Sequence, residues 1–370
     1  MEGLLNGDRR EQTSLKQART DFVVALTKDR SLMKLPPRKS RKVVVRLVRL
    51  GLALLLAFFV ISDLGCAAFN LSLSAVRESL QSHPNPARDY GEALRRFHKM
   101  QGTEGPELNP LCLSILLTHG KRTKRAVVFF HGLTNCPEQF RELGRTFYEL
   151  GYNVLIPRLP RHGLADRKVQ NLTPLKAEEL RACADLGVDI ACGLGEKVYV
   201  AGLSAGGTMA AWVAQNRSEV ARVLLIAPAL GLTLRENLRS QWLMALLFPL
   251  IPDIRTDWYY SSAPTHTYTG FSSRGLGQLL RLSKATFAGA SHQAPKVQDV
   301  ALVTAQSDDA VSDYVTWRLV GLWRKKGLAR FASVDFPEVM KIEHDMIDPA
   351  QKNQQTGIVY PVLVKLLNAP

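Results

Sequence analysis

Residues 198–216 read VYVAGLSAGGTMAAWVAQN: an apolar run, the hexad Gly202-Leu203-Ser204-Ala205-Gly206-Gly207, and a breaker-free stretch rich in helix formers. A short continuous apolar run bounded by glycine is how a strand buried on both faces reads, and residues 208–216 read as a helix. The two glycines flanking the serine have a physical reason. The turn between strand and helix is tight, and a Cβ at Gly202 or Gly206 would collide with neighbouring backbone. The segment therefore predicts a serine carried on a sharp strand-to-helix turn that forces its hydroxyl into the open.

Outward from this turn, short apolar runs alternate with amphipathic segments from about residue 111 onward. Residues 126–130, 153–156, 198–201, 223–227 and 301–304 are the candidate central strands. Residues 137–150 and 174–192 are candidate helices, the second with Thr173 as N-cap and Pro174 at its first position. This alternation predicts an α/β fold with a mostly parallel central sheet flanked by helices. The alternation lapses over residues 231–294, where an amphipathic run at 242–250 is followed by Tyr, Trp, Thr and Ser. That stretch reads as an inserted helical lid over the carboxyl edge of the sheet, where open α/β sheets bind ligands. Trp242, Phe248 and Trp258 are candidates to meet an apolar ligand there, against the plainer reading that they are core.

A serine hydroxyl is a weak nucleophile until a base takes its proton, and that base needs an acceptor to hold its tautomer. Of eight histidines, His344 alone follows the last apparent strand, in Glu343-His344-Asp345-Met346. Ser307-Asp308-Asp309-Ala310-Val311 follows the run at 301–304 and supplies the acid. Asp309 is preferred because a valine stands two residues on, with Asp308 the alternative. Asp345 reads as a solvated loop charge. Two backbone N–H groups are placed to meet an oxyanion, that of Ala205 and that of Leu133 in His131-Gly132-Leu133. His131 reads as loop-shaping and His162 as structural, while His266 and His292 have no supporting context.

With these residues placed, the chain resembles the α/β-hydrolase superfamily, within it the group of monoacylglycerol lipases, lysophospholipases and bacterial carboxylesterases. The resemblance rests on FFHGLTN, GYNVLIPRLPRHG, GLSAGG, SDDAVS and EHDM in that order, from about residue 126 to the C-terminus. The phrase HGLTNCPEQF is also similar to that of esterase-like bacterial members with an N-terminal anchor. The resemblance implies hydrolysis of a carboxylic ester of a lipid or acyl glycerol through an acyl-enzyme on Ser204, without a cofactor. An amidase or peptidase would use the same residues, and a non-catalytic binding protein could share the fold.

The 48 Lys/Arg against 33 Asp/Glu leave a net charge of +15, which raises the question of nucleic acid. Distribution answers it: residues 1–49 hold 13 Lys/Arg against 5 Asp/Glu, just ahead of the most apolar run, so no nucleic-acid partner is expected. That run, residues 50–69, reads LGLALLLAFFVISDLGCAAF and has about the 20 residues needed to cross a bilayer. Arg41, Lys42, Arg46 and Arg49 at its start place residues 1–49 in the cytoplasm and the rest outside. Asp63 interrupts the run and keeps a cleaved signal peptide open, and Leu64-Gly65-Cys66 keeps a lipoprotein signal open, with translation from Met33. All three readings export the catalytic part. Residues 70–110, with four prolines from Pro84 to Pro110, read as tether and irregular covering, and residues 111–370 as the catalytic domain.

Five cysteines lack the spacing of a zinc site, so no metal is expected. Cys112 and Cys136 are the better disulfide pair in an oxidising compartment, with free thiols the alternative. Cys183 and Cys192, within one expected helix, stand roughly 13 Å apart and out of reach.

Overall fold

A computed structural model of the chain describes residues 78–233, 238–248, 252–257 and 263–369. The basic segment 1–49, the apolar run 50–69 and Trp258 lie outside them. In chain order the first elements are α1 (Tyr90–Gln101), β1 (Ile115–Leu117), β2 (Thr123–Phe130), α2 (Arg141–Glu149), β3 (Tyr152–Ile156), α3 (Ala177–Leu194), β4 (Gly195–Leu203), α4 (Ala205–Asn216) and β5 (Val220–Ile226). There follow α5 (Leu238–Leu247), β6 (Arg255–Asp257), β7 (Gly270–Ser272), α6 (Ser273–His292), β8 (Asp299–Ala305), α7 (Asp313–Lys325), β9 (Arg330–Phe336) and α8 (Thr356–Asn368).

Seven strands form one sheet in the order β1-β3-β2-β4-β5-β8-β9, parallel throughout except for β1, which pairs antiparallel with β3. All five central strands fall where their apolar runs place them, because strands with helices on both faces bury every side chain. The edges differ. β1 is only three residues long, and β9 buries only Phe336 of its seven side chains, so neither carries an apolar run.

Two boundaries change. The stretch 70–110 holds α1, whose first turn is capped by Asp89 accepting from Glu92 N–H at 2.8 Å and whose Ala93 and Phe97 enter the core. The segment ahead of α1 is stitched down as well. Fully buried Arg217 binds Asp185 and Asp189 on α3 and Glu219, while the same two aspartates accept from His83 N–H and Asn85 N–H. Prolines predict irregular backbone, but they do not predict that it is loose.

The expected lid is also shorter at its far end. Helix α6 begins at Ser273 and packs on α4, with most of its residues buried, so it is the crossover that returns the chain from the insertion to β8. The insertion proper holds α5 and the small β6–β7 hairpin. Trp242 on α5 packs edge-on to Phe287 of α6, which makes it part of the core margin. Helix α3 starts at Ala177, three residues after Pro174, because Thr173 Oγ1 donates to Asp253 instead of capping the helix.

Candidate active site

Ser204 links β4 to α4 with φ +56° and ψ −113°. For a residue with a Cβ that conformation is strained by about 1–3 kcal/mol, and it persists only where the surroundings enforce it. Here the backbone does so. Ser204 N–H donates to Ile226 O at 3.0 Å, and Ser204 O accepts from Ala229 N–H at 2.9 Å and Thr208 N–H at 3.0 Å. A Cβ on Gly206 would lie 1.8 Å from Phe130 O, and one on Gly202 would lie 2.1 Å from Gly206 O. Both glycines are therefore required by close approach of main chain to main chain. Ser204 is half-buried, and its hydroxyl has no hydrogen-bond partner among the described residues.

Phe130, the last residue of β2, is in register with Gly202 of β4, so the loop that follows β2 runs beside the serine. In that loop the Gly132–Leu133 peptide is held by its carbonyl: Gly132 O accepts from Asn135 N–H at 3.1 Å and lies 2.9 Å from His131 Nδ1. Fixing the carbonyl on one side points the Leu133 N–H to the other, because the peptide is planar and trans. His131 Nε2 accepts from Leu159 N–H at 3.0 Å, so the ring is neutral and Nδ1 is its donor. Burial, with the charges of His162 and Arg158 nearby, pushes its pKa well below 6.5. His162, also wholly buried, touches Leu133 O and Pro160 O at 2.7 Å each, and burial lowers its pKa to about 4. Among the described residues neither Leu133 N–H nor Ala205 N–H donates a hydrogen bond.

The carboxylate that meets His344 is Asp308, the alternative on sequence grounds, rather than Asp309. Asp308 Oδ2 lies 2.6 Å from His344 Nδ1, whereas Asp309 turns to solvent and contributes only its carbonyl, to Thr233 Oγ1. The reason is local. After β8 the chain turns, with Asp308 N–H donating to Ala305 O, and Asp308 Oδ1 accepts from Ala310 N–H at 2.9 Å, which fixes the first aspartate inward. Ser307 Oγ donates to Ile342 O at 2.7 Å and joins this loop to the one that carries His344. Burial lowers the His344 pKa, but the Asp308 hydrogen bond and charge, with Asp345 and Asp309 behind them, outweigh it and hold it above 6.5.

Ser204, Asp308 and His344 follow the carboxyl ends of β4, β8 and β9, so all three loops lie along one edge of the sheet. Sequence reasoning missed two neighbours. Asp345 is no solvated charge: it accepts from Asn135 Nδ2 at 3.1 Å and Gln351 Nε2 at 2.9 Å. His266, which had no sequence context, is buried in the insertion with Nε2 2.8 Å from Asp348 Oδ2. The Cys112–Cys136 disulfide is formed, with Cα atoms 5.2 Å apart, while Cys183 and Cys192 are free thiols on α3. Among the described residues no cluster of three or more His, Cys, Asp or Glu has the arrangement of a metal site, and no helix is long and apolar enough to cross a membrane. A cavity of about 220 Å³ lined by Leu80, Pro84, Trp212 and Asn216 lies at the far half of α4, away from Ser204.

A serine-bearing turn at the carboxyl edge of a mostly parallel sheet, with an aspartate–histidine pair on later loops of the same edge, is carried here by an α/β-hydrolase fold. The chain belongs to the alpha/beta hydrolase family, whose profile matches residues 127–354. The thermostable monoacylglycerol lipase of Bacillus sp. (strain H-257) is 26% identical over 106 residues, 29% of this chain. Those residues amount to 41% of that relative's own length. The crystal structure of Paleococcus ferrophilus monoacylglycerol lipase superposes with a TM-score of 0.51 at 17% identity, covering 69% of this chain and 97% of that one. A metagenome-derived lipolytic enzyme aligns with a TM-score of 0.49 at 17% identity over 71% of this chain and all of its own.

Proposed function

We propose that the protein is a serine ester hydrolase in which Ser204 attacks an acyl carbonyl, His344 carries the proton, and Asp308 orients the imidazole. The observation that carries this reading is the 2.6 Å contact between Asp308 and His344 Nδ1 on the sheet edge where the strained Ser204 stands. An acceptor on Nδ1 leaves Nε2 unprotonated and free to take a proton. As Ser204 Oγ bonds to the carbonyl carbon, its proton passes to Nε2 and the carbonyl oxygen becomes an oxyanion facing Leu133 N–H and Ala205 N–H. The tetrahedral species collapses, the alcohol leaves with the proton from His344, and water repeats the sequence to release the acid. Each oxyanion donor contributes about 3–4 kcal/mol of barrier lowering in such sites.

The substrate is an acyl ester of a lipid, a reading supported by the lipases among the relatives and by the apolar run 50–69. That run, behind a basic segment, holds the protein at a membrane with the catalytic part on the far side from the cytoplasm, so enzyme and substrate share a surface. The test is a fluorophosphonate label on the full-length chain in mild detergent, beside Ser204→Ala, followed by p-nitrophenyl esters of increasing chain length. Labelling that vanishes in the variant establishes an activated serine, and the chain-length optimum sizes the acyl site. A folded wild type that takes no label sinks the reading. Alkaline carbonate washing of membranes tests the anchor: release of the full chain into the supernatant overturns it.

A further inference from the structure

The base His344 and the proposed oxyanion donor Leu133 sit on loops about 210 residues apart in sequence, and one carboxylate joins them. Asp345, next to the base, accepts from Asn135 Nδ2 at 3.1 Å. That donor belongs to the loop that sets the Leu133 N–H. Asn135 N–H and Gln139 Oε1 hold the two sides of Gly132, at 3.1 Å to its carbonyl and 2.8 Å to its N–H. Asn135 and Gln139 are each about 2% exposed, so the bonds they make to Gly132 form out of reach of competing water. Behind them, Asn135 Nδ2 also lies 3.5 Å from Asp348 Oδ2, and Asp348 binds His266 of the insertion at 2.8 Å.

We propose that Asp345, through Asn135, is the positioning residue that sets the distance between the base and the Leu133 oxyanion donor. The inference rests on the serine-hydrolase reading of the site. It accounts for a half-buried carboxylate beside the catalytic histidine, because that carboxylate spans two loops that no backbone hydrogen bond joins among the described residues. A misplacement of about 1 Å between reacting groups is worth about 10²-fold in rate, and a side-chain bridge of this length controls displacements of that size.

The test uses the full-length chain in mild detergent, with Asp345→Asn, Asn135→Ala and the double variant assayed on a p-nitrophenyl ester and by fluorophosphonate labelling. Thermal unfolding is recorded beside each. Each single variant is expected to lose roughly 10- to 100-fold in kcat with KM little changed, and the double is expected to lose no more than the worse single, because one bridge is broken in all three. Asp345 faces His344, Asp348, His266 beyond it and the Tyr360 phenol of α8, while Asp308 and Asp309 lie across His344. Its charge is among those that raise the His344 pKa. Asp345→Asn is also expected to move the acid limb of kcat/KM to lower pH, because it removes that charge. Wild-type turnover with unchanged kcat in Asp345→Asn, or losses that multiply in the double in step with lost thermal stability, overturns the inference. A wild type that neither labels nor turns over takes the hydrolase reading down first, and this inference with it.

Discussion

The two halves of the site are held by different forces. Around Ser204 the constraint is main chain against main chain: Gly206 lies under Phe130 O, Gly202 under Gly206 O, and three backbone hydrogen bonds fix the serine itself. Around His344 the constraint is side chain to side chain or to backbone: Asp308 on the ring, Ser307 on Ile342 O, Asn135 on Asp345. Steric fixing tolerates no added atom, whereas hydrogen-bond fixing tolerates a change of side chain at a graded loss. Substitutions should therefore behave as switches in the first half and as dials in the second.

The largest effect expected apart from loss of Ser204 itself is at the proposed acid. Asp308→Ala removes the acceptor that holds His344 in its working tautomer, and kcat is expected to fall by about 10⁴-fold. Asp309→Ala, altering a side chain that faces solvent, is expected to stay close to wild type. Steady-state kinetics on the pair decides between them, and the reverse pattern would return the role to Asp309.

Next in size is Gly206→Ala. A methyl 1.8 Å from Phe130 O cannot be accommodated without moving the turn, so kcat should fall by about 10²-fold or more and the melting temperature should fall with it. A variant with wild-type kcat would break the claim that sterics set this half.

How far this division is legible in sequence follows from the same forces. Backbone crowding leaves glycines at defined offsets from Ser204, and strands buried on both faces leave apolar runs, so the turn and five central strands can be read. Edge strand β9, mostly exposed, leaves no run. Helix α6 reads as lid because its Ser, Gly and Lys residues look unlike a core helix until α4 is seen against it. Adjacent aspartates at 308 and 309 differ only in how a turn aims them, and Asp345 with Asn135, or His266 with Asp348, are partners across long separations that leave no local pattern.

A smaller effect is expected from pH. As the proposed base His344 must be neutral to accept a proton, and its partners raise its pKa, so the acid limb of kcat/KM should lie above pH 6.5 and activity should fall as pH drops through it. Asp308→Asn removes the hydrogen-bonded charge, and in its residual activity the limb should move to lower pH. A limb at or below 6.5 in the wild type would mean that burial outweighs the carboxylates at this ring.

The smallest effect on rate is expected where the serine half carries its covalent brace. Cys136 follows Asn135 directly, and its bond to Cys112 closes a loop with a sequence separation of 24, worth about 3 kcal/mol in the chain-entropy account. Yet the Gly132 carbonyl is held by His131 and Asn135 and the Gly132 N–H by Gln139, bonds in which neither sulfur takes part. Paired Cys112→Ala and Cys136→Ala replacements should therefore lower the melting temperature by roughly 5–10 °C while leaving kcat within a few-fold of wild type. A kcat loss comparable to that of Asn135→Ala would place the orientation of Leu133 under covalent control and erase the distinction between steric and hydrogen-bonded halves at this loop.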